Sequence, residues 1–265
     1  GTALGNLVAS MSPDTWAVLN TNGISGTTLL AQGASGNITS DATGGCWDRV
    51  GQRAHFIGMD HQPGTVQRHV GYDAATNTWL RLADPPFGAG AINHNWDSMT
   101  CDEAGRMLYR TNIGDPNVWR YGFVTGQWTN LGPPPWSSTV GLGFAGLAFH
   151  PDMGTVGKLL MILQQTPTEG VLGAFDPATN SWQQLPTPSS LISGIDDVQW
   201  AESNGASKVT AFGSFTGHHT IRAPGTTVTT AAPYPGCNPR YNREGIIHAD
   251  PATGNFVLLC GPSTA

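Results

Sequence analysis

The feature that most constrains this 265-residue chain is a phrase that occurs three times, at 71–82, 120–131 and 174–185. Each copy holds an aromatic residue, a cluster of turn-forming residues, a tryptophan and a closing leucine. Trp79, Trp128 and Trp182 mark the same position in the three copies, at steps of 49 and 54 residues. A period near 50 residues built from strand-like pieces indicates the repeated blades of an all-β propeller.

The sequence between the copies adds further strand-like segments, so that each repeat holds four strands. A second marker, an acidic residue at the first turn of each repeat, extends the pattern to five repeats. These acids are Asp48, Asp102, Asp152, Glu202 and Asp250. The chain is therefore predicted to be one all-β domain over 1–265, a β-propeller of four-stranded antiparallel blades. The blades are expected at about 44–90, 91–140, 141–190 and 191–236, with a partial fifth blade at 237–265.

The first 43 residues are predicted to be an N-terminal arm with one strand-like piece at 14–19. This piece resembles the ending of the later phrases, since Trp16 and Leu19 repeat the spacing of Trp79 and Leu82. In closed propellers a terminal strand often completes the blade made by the other end of the chain and removes an exposed sheet edge. We therefore expect 14–19 to be an outermost, closing strand.

Composition favours an extracellular protein, either secreted or carried on the surface of a cell or particle. Charged residues make up only 11% of the chain, while 35 glycines and 19 prolines indicate many turns. The formal net charge of −6 argues against nucleic-acid binding, which depends on clustered Lys and Arg. No apolar stretch reaches the roughly 20 residues that a membrane span needs.

Four cysteines, Cys46, Cys101, Cys237 and Cys260, lack the spacing of a zinc site. One interpretation is that all four are small buried thiols. The other pairs Cys237 with Cys260 in a disulfide, because Cys237 lies in a Pro-Gly-Cys-Asn-Pro loop where a free thiol would be reactive in an oxidising compartment. The sequence has no phosphate loop, nucleophile elbow or zinc-protease helix, and we expect neither a metal nor another cofactor.

The phrase aromatic-Asp-x-x-Thr-Asn-x-Trp-x-x-Leu, present at 72–82 and 175–185, resembles the kelch repeat of the galactose oxidase central domain. It departs from the kelch pattern in the double glycine of the second strand, which is reduced to Gly58 and Gly213. The resemblance implies a propeller that holds proteins or polysaccharides through its loops. A copper site of the galactose oxidase type is not expected, because the four cysteines are not placed for a Tyr–Cys crosslink.

Candidate functional residues lie on loops that blade geometry brings to one face. The loops between blades and the loops from second to third strands surround the mouth of the central channel, and rigid scaffolds commonly carry function on such loops. The candidate ligand-binding residues are Asn93, Asn95, Trp96, Asp97, Asn112, Asp196, Asp197 and His218. Flat aromatic and amide side chains, Trp136 among them, suit sugar rings and hydroxyls. The first hypothesis is therefore a propeller that binds a glycan or a protein at this mouth.

An alternative hypothesis is a polysaccharide lyase that acts on uronate-containing glycans by β-elimination. Such a reaction needs a group that neutralises the carboxylate, a base for the adjacent proton and an acid for the leaving oxygen. The residue types for these roles occur on the same loops: Arg240 or Arg243, His61 or His94, and Tyr241. The sequence alone leaves enzymatic activity open.

A third hypothesis is a structural appendage of a larger assembly such as a virion. Its basis is the low charge of the chain and the partial fifth blade, which contacts within an assembly would complete. The tryptophans of the repeated phrase are expected to lie in the core under all three hypotheses, because periodic aromatic residues are usually buried.

Overall fold

The computed structural model describes residues 1–24, 44–58, 67–87, 98–112, 114–136, 145–166, 169–187, 200–214, 217–231 and 246–259. Within them lie one short helix, α1 (Ala3–Ser10), and eighteen strands in five antiparallel sheets. This arrangement confirms the predicted all-β fold.

Four sheets have four strands each, and the strands follow one another across the sheet in chain order. The first contains β1 (Gly45–Asp48), β2 (Arg53–Gly58), β3 (Arg68–Asp73) and β4 (Thr78–Arg81). The second contains β5 (Met99–Asp102), β6 (Met107–Asn112), β7 (Asp115–Gly122) and β8 (Trp128–Asn130). The third contains β9 (Gly146–His150), β10 (Lys158–Thr166), β11 (Glu169–Asp176) and β12 (Ser181–Leu185).

The fourth sheet contains β13 (Trp200–Asn204), β14 (Val209–Ser214), β15 (Gly217–Arg222) and β16 (Val228–Ala231). The fifth sheet pairs β17 (Ile246–Ala249) with β18 (Phe256–Leu259). The first strands of successive sheets, β1, β5, β9, β13 and β17, contact one another in that order. The sheets are therefore successive blades, numbered one to five below, that stand side by side with their first strands innermost.

The two ends of the blades differ in the length of their connections. At one end, called the turn end, short turns join first to second and third to fourth strands. At the other, called the loop end, fourth strands connect to the next blade through 82–98, 131–145, 186–199 and 232–245. These connections have 17, 15, 14 and 14 residues, whereas most connections in compact domains have about 4–6.

A cross-strand aromatic pair repeats in the first three blades. Tyr72 pairs with Trp79, Tyr121 with Trp128 and Phe175 with Trp182, with ring centroids 5.4, 5.1 and 5.1 Å apart. Each tryptophan is half-buried and packs against a core cluster, as predicted. In the fourth blade the same register holds Ile221 and Val228, so aliphatic contact replaces aromatic contact.

The first turn of every blade is capped by the residue that ends or follows the innermost strand. A side-chain atom of that residue accepts a hydrogen bond from a backbone N–H two or three residues later, at 2.8–3.1 Å. The capping residues are Asp48, Asp102, His150, Asn204 and Asp250. Side chains with a short-range acceptor are favoured at such turns.

One of the predicted turn acids, Glu202, is therefore wrong, whereas Asp152 lies in the predicted turn without capping it. Asp152 lies within the turn that His150 caps, and Glu202 lies inside β13, opposite Ala211. Burial raises the pKa of Glu202 to about 7, as expected for a carboxyl inside a blade rather than at a solvated turn. The spacing agrees with the succession of the sheets, although His150 and Asn204 are the capping side chains in the third and fourth of them.

A disulfide joins the innermost strands of the first two blades. Cys46 of β1 bonds Cys101 of β5, with Cα atoms 6.0 Å apart and a sequence separation of 55 residues. The interpretation of four buried thiols is thus wrong for these two cysteines, whose strands lie side by side in the packed blades. Cys237 and Cys260 lie outside the described residues, and their pairing stays a prediction.

The N-terminal arm does not provide the expected closing strand. Residues 14–19 belong to no sheet, Trp16 is 100% exposed and Val18 is 84% exposed. The chain is instead fixed to the outer edge of the first blade by Asn22, whose backbone bonds Asn77 and Trp79 at 2.9 Å on each side. Thr21 adds a hydrogen bond by accepting from the Trp79 indole at 3.1 Å.

Trp16 and Trp79 share the Thr-Trp-x-x-Leu sequence but differ in packing, so replacing each one shows whether stability depends on the sequence pattern or on the packing. Trp79→Ala is expected to lower the free energy of unfolding by about 3 kcal/mol, because it removes a ring packed on Tyr72 and Val70. Trp16→Ala is expected to change it by less than about 0.5 kcal/mol, since that ring is fully exposed. Urea unfolding followed by far-ultraviolet circular dichroism measures both, and equal effects would contradict the packing described.

Removal of the disulfide by C46A together with C101A is expected to cost about 4 kcal/mol, the chain-entropy value for a closed loop of about 55 residues. Urea unfolding without reductant gives the midpoint and slope of both proteins. Intact mass after alkylation under the same conditions shows whether the unmodified protein carries the bond. Reactive Cys46 and Cys101 thiols in the folded protein would contradict this assignment.

Candidate functional site

The interface between the first and second blades has the most varied chemistry in the described structure. At the turn end, Arg106 of the second blade donates a hydrogen bond to Asp48 of the first at 2.6 Å. Burial of Asp48 favours its neutral form, but the Arg106 guanidinium and the Gly51 N–H outweigh burial and lower the pKa of this carboxyl. This ion pair and the Cys46–Cys101 bond fix the two blades at their turn-end, inner corner.

A pair of buried histidines occupies the middle of the interface. His55 of β2 and His69 of β3 are 2% and 0% exposed, and His55 Nδ1 lies 3.0 Å from His69 Nε2. The second blade contributes Phe123, stacked on His55 with centroids 4.3 Å apart, and Tyr121, edge-on to His69 at 4.6 Å. The two imidazoles thus lie between aromatic rings and the sheet of the first blade.

A group of buried polar side chains, called the loop-end polar cluster, lies towards the loop end of the same interface. Its members are Gln67 of the first blade, Ser98, which directly precedes β5, and Arg110, Asn112 and Asp115 of the second blade. All five are 3% exposed or less. Polar groups at this depth are stable only where hydrogen bonds replace water, so their positions are tightly constrained.

Arg110 is the centre of this cluster. Its guanidinium donates to Ser98 Oγ and, at 3.5 Å, to Asn112 Oδ1, and it lies over the Phe87 ring at 5.8 Å from the centroid. Burial lowers the pKa of Arg110 to about 9. The alternation of β6 explains the position, because Arg110 faces the first blade together with Leu108 and Asn112.

Asp115 organises the start of β7. One carboxylate oxygen accepts from the Asn117 backbone N–H at 2.9 Å and from Asn117 Nδ2 at 2.7 Å. The other accepts from Trp119 Nε1 at 3.0 Å. These bonds fix the conformation of the first residues of β7.

Gln67 is buried to the same depth without such bonds. Both atoms of its side-chain amide lack a hydrogen-bond partner in the part of the chain that the structure describes. Burying an amide without hydrogen bonds lowers the stability of the folded protein by about 1–3 kcal/mol. Such a residue is therefore unusual in a protein core.

Two of the sequence-predicted ligand residues fall within the described residues. Asn112 is 0% exposed and belongs to the loop-end polar cluster, so its side chain is not accessible to a ligand in this structure. His218 lies in β15, opposite Gly213 and Ala231. Trp136 packs edge-on against Trp182, at 5.7 Å between centroids, and is not the exposed sugar platform that was expected.

The remaining predicted site residues lie outside the described residues. They are His61, Asn93, His94, Asn95, Trp96, Asp97, Asp196, Asp197, Arg240, Tyr241 and Arg243. Their roles stay predictions.

Sequence reasoning missed His55, Gln67, His69, Ser98 and Arg110. The available signal was the two-residue alternation of the strands, because Arg110 shares a face with Leu108 and His55 shares a face with Ile57. A charged or imidazole side chain at a core-facing position is rare and indicates a special contact.

No group of three or more His, Cys, Asp or Glu side chains among the described residues is placed to hold a metal ion. No helix within the described ranges is long and apolar enough to span a membrane.

Comparison with known proteins identifies the fold. No family model matches the chain, and no curated protein matches it. Among solved structures, TolB from Acinetobacter baumannii matches with a TM-score of 0.54 and 13% identity over 85% of this chain and 50% of the TolB chain. A chain of the nidogen/laminin complex matches with a TM-score of 0.51 and 9% identity over 82% of this chain and 79% of its own.

The chain is a β-propeller. Both structures are propellers, and their arrangement of blades agrees with the succession of four-stranded sheets found here. This propeller spans half the length of the TolB chain. At identities of 13% and 9% the similarity concerns the fold, and the ligand has to be inferred from the chain itself.

Arg110→Ala is expected to lower the free energy of unfolding by about 3 kcal/mol, because it leaves a cavity over Phe87 and removes the donor to Ser98. Arg222→Ala is the matched control, since Arg222 is exposed and bonds only the Ser207 carbonyl in the described contacts. The control is expected to cost less than about 1 kcal/mol. Urea unfolding compares the two, and a similar cost for both would contradict the central position of Arg110.

Proposed function

We propose that this chain is a binding propeller that holds a protein partner at its loop end. The observation that carries the proposal is the asymmetry of the blades. All four connections of 14–17 residues between blades begin and end at the loop end, whereas the turn end carries only short turns. Connections of this length are uncommon in compact domains and are usually either functional or linker segments, and ligands of rigid scaffolds are commonly held by loops.

The loop-end polar cluster supports this proposal. Arg110, Asn112 and Asp115 fix the ends of β6 and β7 where the chain leaves the sheet, and Ser98 and Phe87 flank the connection from the first blade. A preorganised base lowers the entropy cost of holding a partner, because less of the surface has to become ordered on binding.

An oxidising location is part of the proposal. The Cys46–Cys101 bond supports it, because disulfides persist in secreted, periplasmic and surface proteins and are rare in reducing compartments. The scarcity of charged residues agrees with this setting.

A kelch relationship is also proposed. The Tyr72–Trp79 and Phe175–Trp182 pairs, which belong to the two copies of the kelch-like phrase, have the same register and nearly the same ring separation. The same pair recurs in the second blade as Tyr121 and Trp128, and this repetition supports descent of the blades from one repeated unit.

The loop end would also suit a glycan, and the lyase and assembly hypotheses concern the same face or its surroundings. The residues proposed for glycan binding and for the lyase reaction lie mainly outside the described residues. The length of the connections is therefore the remaining observation, and it does not favour a glycan over a protein ligand. Each makes a separable claim: glycan arrays test sugar binding, and absorbance of the unsaturated product from uronate polysaccharides tests β-elimination. A stoichiometric partner on purification from the natural source would favour an assembly.

A photo-crosslinking amino acid distinguishes the two ends of the propeller. Placed at Pro116 or Thr230, which are exposed towards the loop end, it is expected to form covalent adducts with a protein partner from the natural source. Placed at Val124 or Val156, which are 73% and 51% exposed at the turn end, it is expected to form none above background. Mass spectrometry of the adducts identifies the partner.

All four positions are exposed, so the turn-end variants are controls for surface reactivity. Adducts that concentrate at Val124 or Val156 would contradict the proposal. Absence of adducts at every position, together with a positive glycan array, would replace the protein partner by a glycan.

A further inference from the structure

We propose that the His55–His69 pair is an acid-sensitive contact that reversibly opens the outer part of the interface between the first two blades as the pH falls below neutral. The proposal concerns the fold and does not depend on the function proposed above. It rests on where the two rings lie and on what surrounds them.

The pair belongs to the first blade but is covered by the second. His55 and His69 lie on neighbouring strands and face the same side of their sheet, and their facing nitrogens are 3.0 Å apart. From the second blade, Phe123 stacks on His55 at 4.3 Å, while Tyr121 and Trp128 lie 4.6 and 5.7 Å from His69. Water can reach the rings only when these aromatic residues move away, so exposure of the pair requires the blades to separate there.

The contact between the rings needs one N–H and one free lone pair, so the two imidazoles cannot both carry two protons. His55 Nε2 has no hydrogen-bond partner in the described structure, so a proton added there would be buried without an acceptor. Burial, with repulsion from Arg53, lowers the pKa of His55 to about 4. Burial and the neighbouring His55 lower the pKa of His69 to about 3, although the Ala83 carbonyl favours a proton on this ring.

The charged groups around the pair do not reverse this balance. They are Asp48 on β1, Arg53 on β2, Arg68 and Asp73 on β3, Asp84 after β4, Arg106 and Arg110 on the second blade, and neutral Tyr121 on β7. The three carboxylates are already paired: Asp48 with Arg106, Asp73 with Arg53 and Asp84 with Arg68. No unpaired carboxylate among the described residues is therefore available to stabilise an imidazolium.

The direction of the pH effect follows from these shifts. Exposed histidines have a pKa near 6.5, so below that pH the open interface binds protons that the closed interface excludes. The contact is fully stable above about pH 6.5 and weakens as the pH falls towards 4. One proton taken up on opening changes the opening equilibrium about tenfold per pH unit, and two protons change it about a hundredfold.

Opening is confined to the outer part of the interface because the inner corner stays fixed. The Cys46–Cys101 bond does not respond to acid, and Asp48 remains ionised against Arg106 because its pKa lies below its ordinary value of 3.8. The blades therefore stay attached at the inner strands while Phe123 and Trp128 move away from the histidines. This attachment makes the change reversible.

Hydrogen exchange measured by mass spectrometry between pH 7.5 and 4.5 tests the proposal. Protection factors, which correct for the intrinsic pH dependence of exchange, are expected to fall 10- to 100-fold per pH unit below pH 6 in β2, β3, β7 and β8. Those of β10 and β11 in the third blade are expected to change little. Return to pH 7.5 is expected to restore the original values.

The double variant His55→Gln with His69→Gln cannot be protonated, and it is expected to remove the acid-dependent loss of protection. His248→Gln is the matched control, because His248 is exposed on β17 and its replacement is expected to leave the loss unchanged. Acid-dependent loss that persists in the double variant, or that affects the third blade equally, would overturn the proposal.

A second measurement on the unmodified protein covers the case in which the double variant does not fold. Nitrogen chemical shifts of the imidazoles report the charge on each ring. Both rings are expected to be neutral at pH 6 and to gain protons only over the pH range in which protection is lost. A charged His55 or His69 in the closed protein at pH 6 would overturn the proposal.

Discussion

The structure depends on the burial of each blade face against the next blade. A twisted four-stranded sheet is apolar on both faces here, and only neighbouring sheets exclude water from both. Between the second and third blades this contact is aromatic and aliphatic, with Tyr109 stacked on Phe149 and Leu147 and Leu159 around them. Between the third and fourth it is aliphatic, through Leu160, Ile162 and Ile221. Apolar contact of this kind is tolerant of sequence change, which explains how the fourth blade keeps its fold without the tryptophan phrase.

The interface between the first and second blades depends less on apolar contact. It combines an ion pair, a disulfide, a buried histidine pair and a cluster of buried polar groups with only a small apolar core around Leu108 and Tyr121. Buried polar groups have few allowed arrangements, so this interface fixes the relative position of two blades more narrowly than apolar packing would. The same chemistry makes it the part of the propeller that responds to pH. At its loop end the longest of the four connections between blades, 82–98, leaves β4 and enters β5.

The sequence predicted those features that repeat. The tryptophan phrase indicated the blades, because each of its members has the same partner in every copy, as Tyr72 and Trp79 show. The prediction of a closing strand at 14–19 was wrong because Trp16 has the sequence of the phrase but not its partners. Asn20, Thr21 and Asn22 bind the first blade instead, through Asn77 and Trp79. A local pattern does not reveal which sheet edge a segment reaches.

The contacts that make the first two blades distinctive occur once and have no period. Cys46 and Cys101 occupy neighbouring strands that are 55 residues apart in sequence, and no spacing rule pairs them. His55 and His69 are recognisable only when the faces of β2 and β3 are known, and Arg110 only when its side of β6 is known. These residues depend on three-dimensional contact between blades. The candidate ligand residues of the connections follow from composition and loop position, which predict a place for a ligand but do not identify the ligand.

In this propeller the blades supply the fold, and the connections between them are proposed to supply the binding. The most direct test of this division replaces 188–199 and 232–245 with glycine–serine segments of equal length and measures both thermal unfolding and affinity for the partner captured at the loop end. The variant is expected to unfold cooperatively within a few degrees of the unmodified protein and to lose at least tenfold in affinity. Unchanged affinity in a folded variant would contradict it.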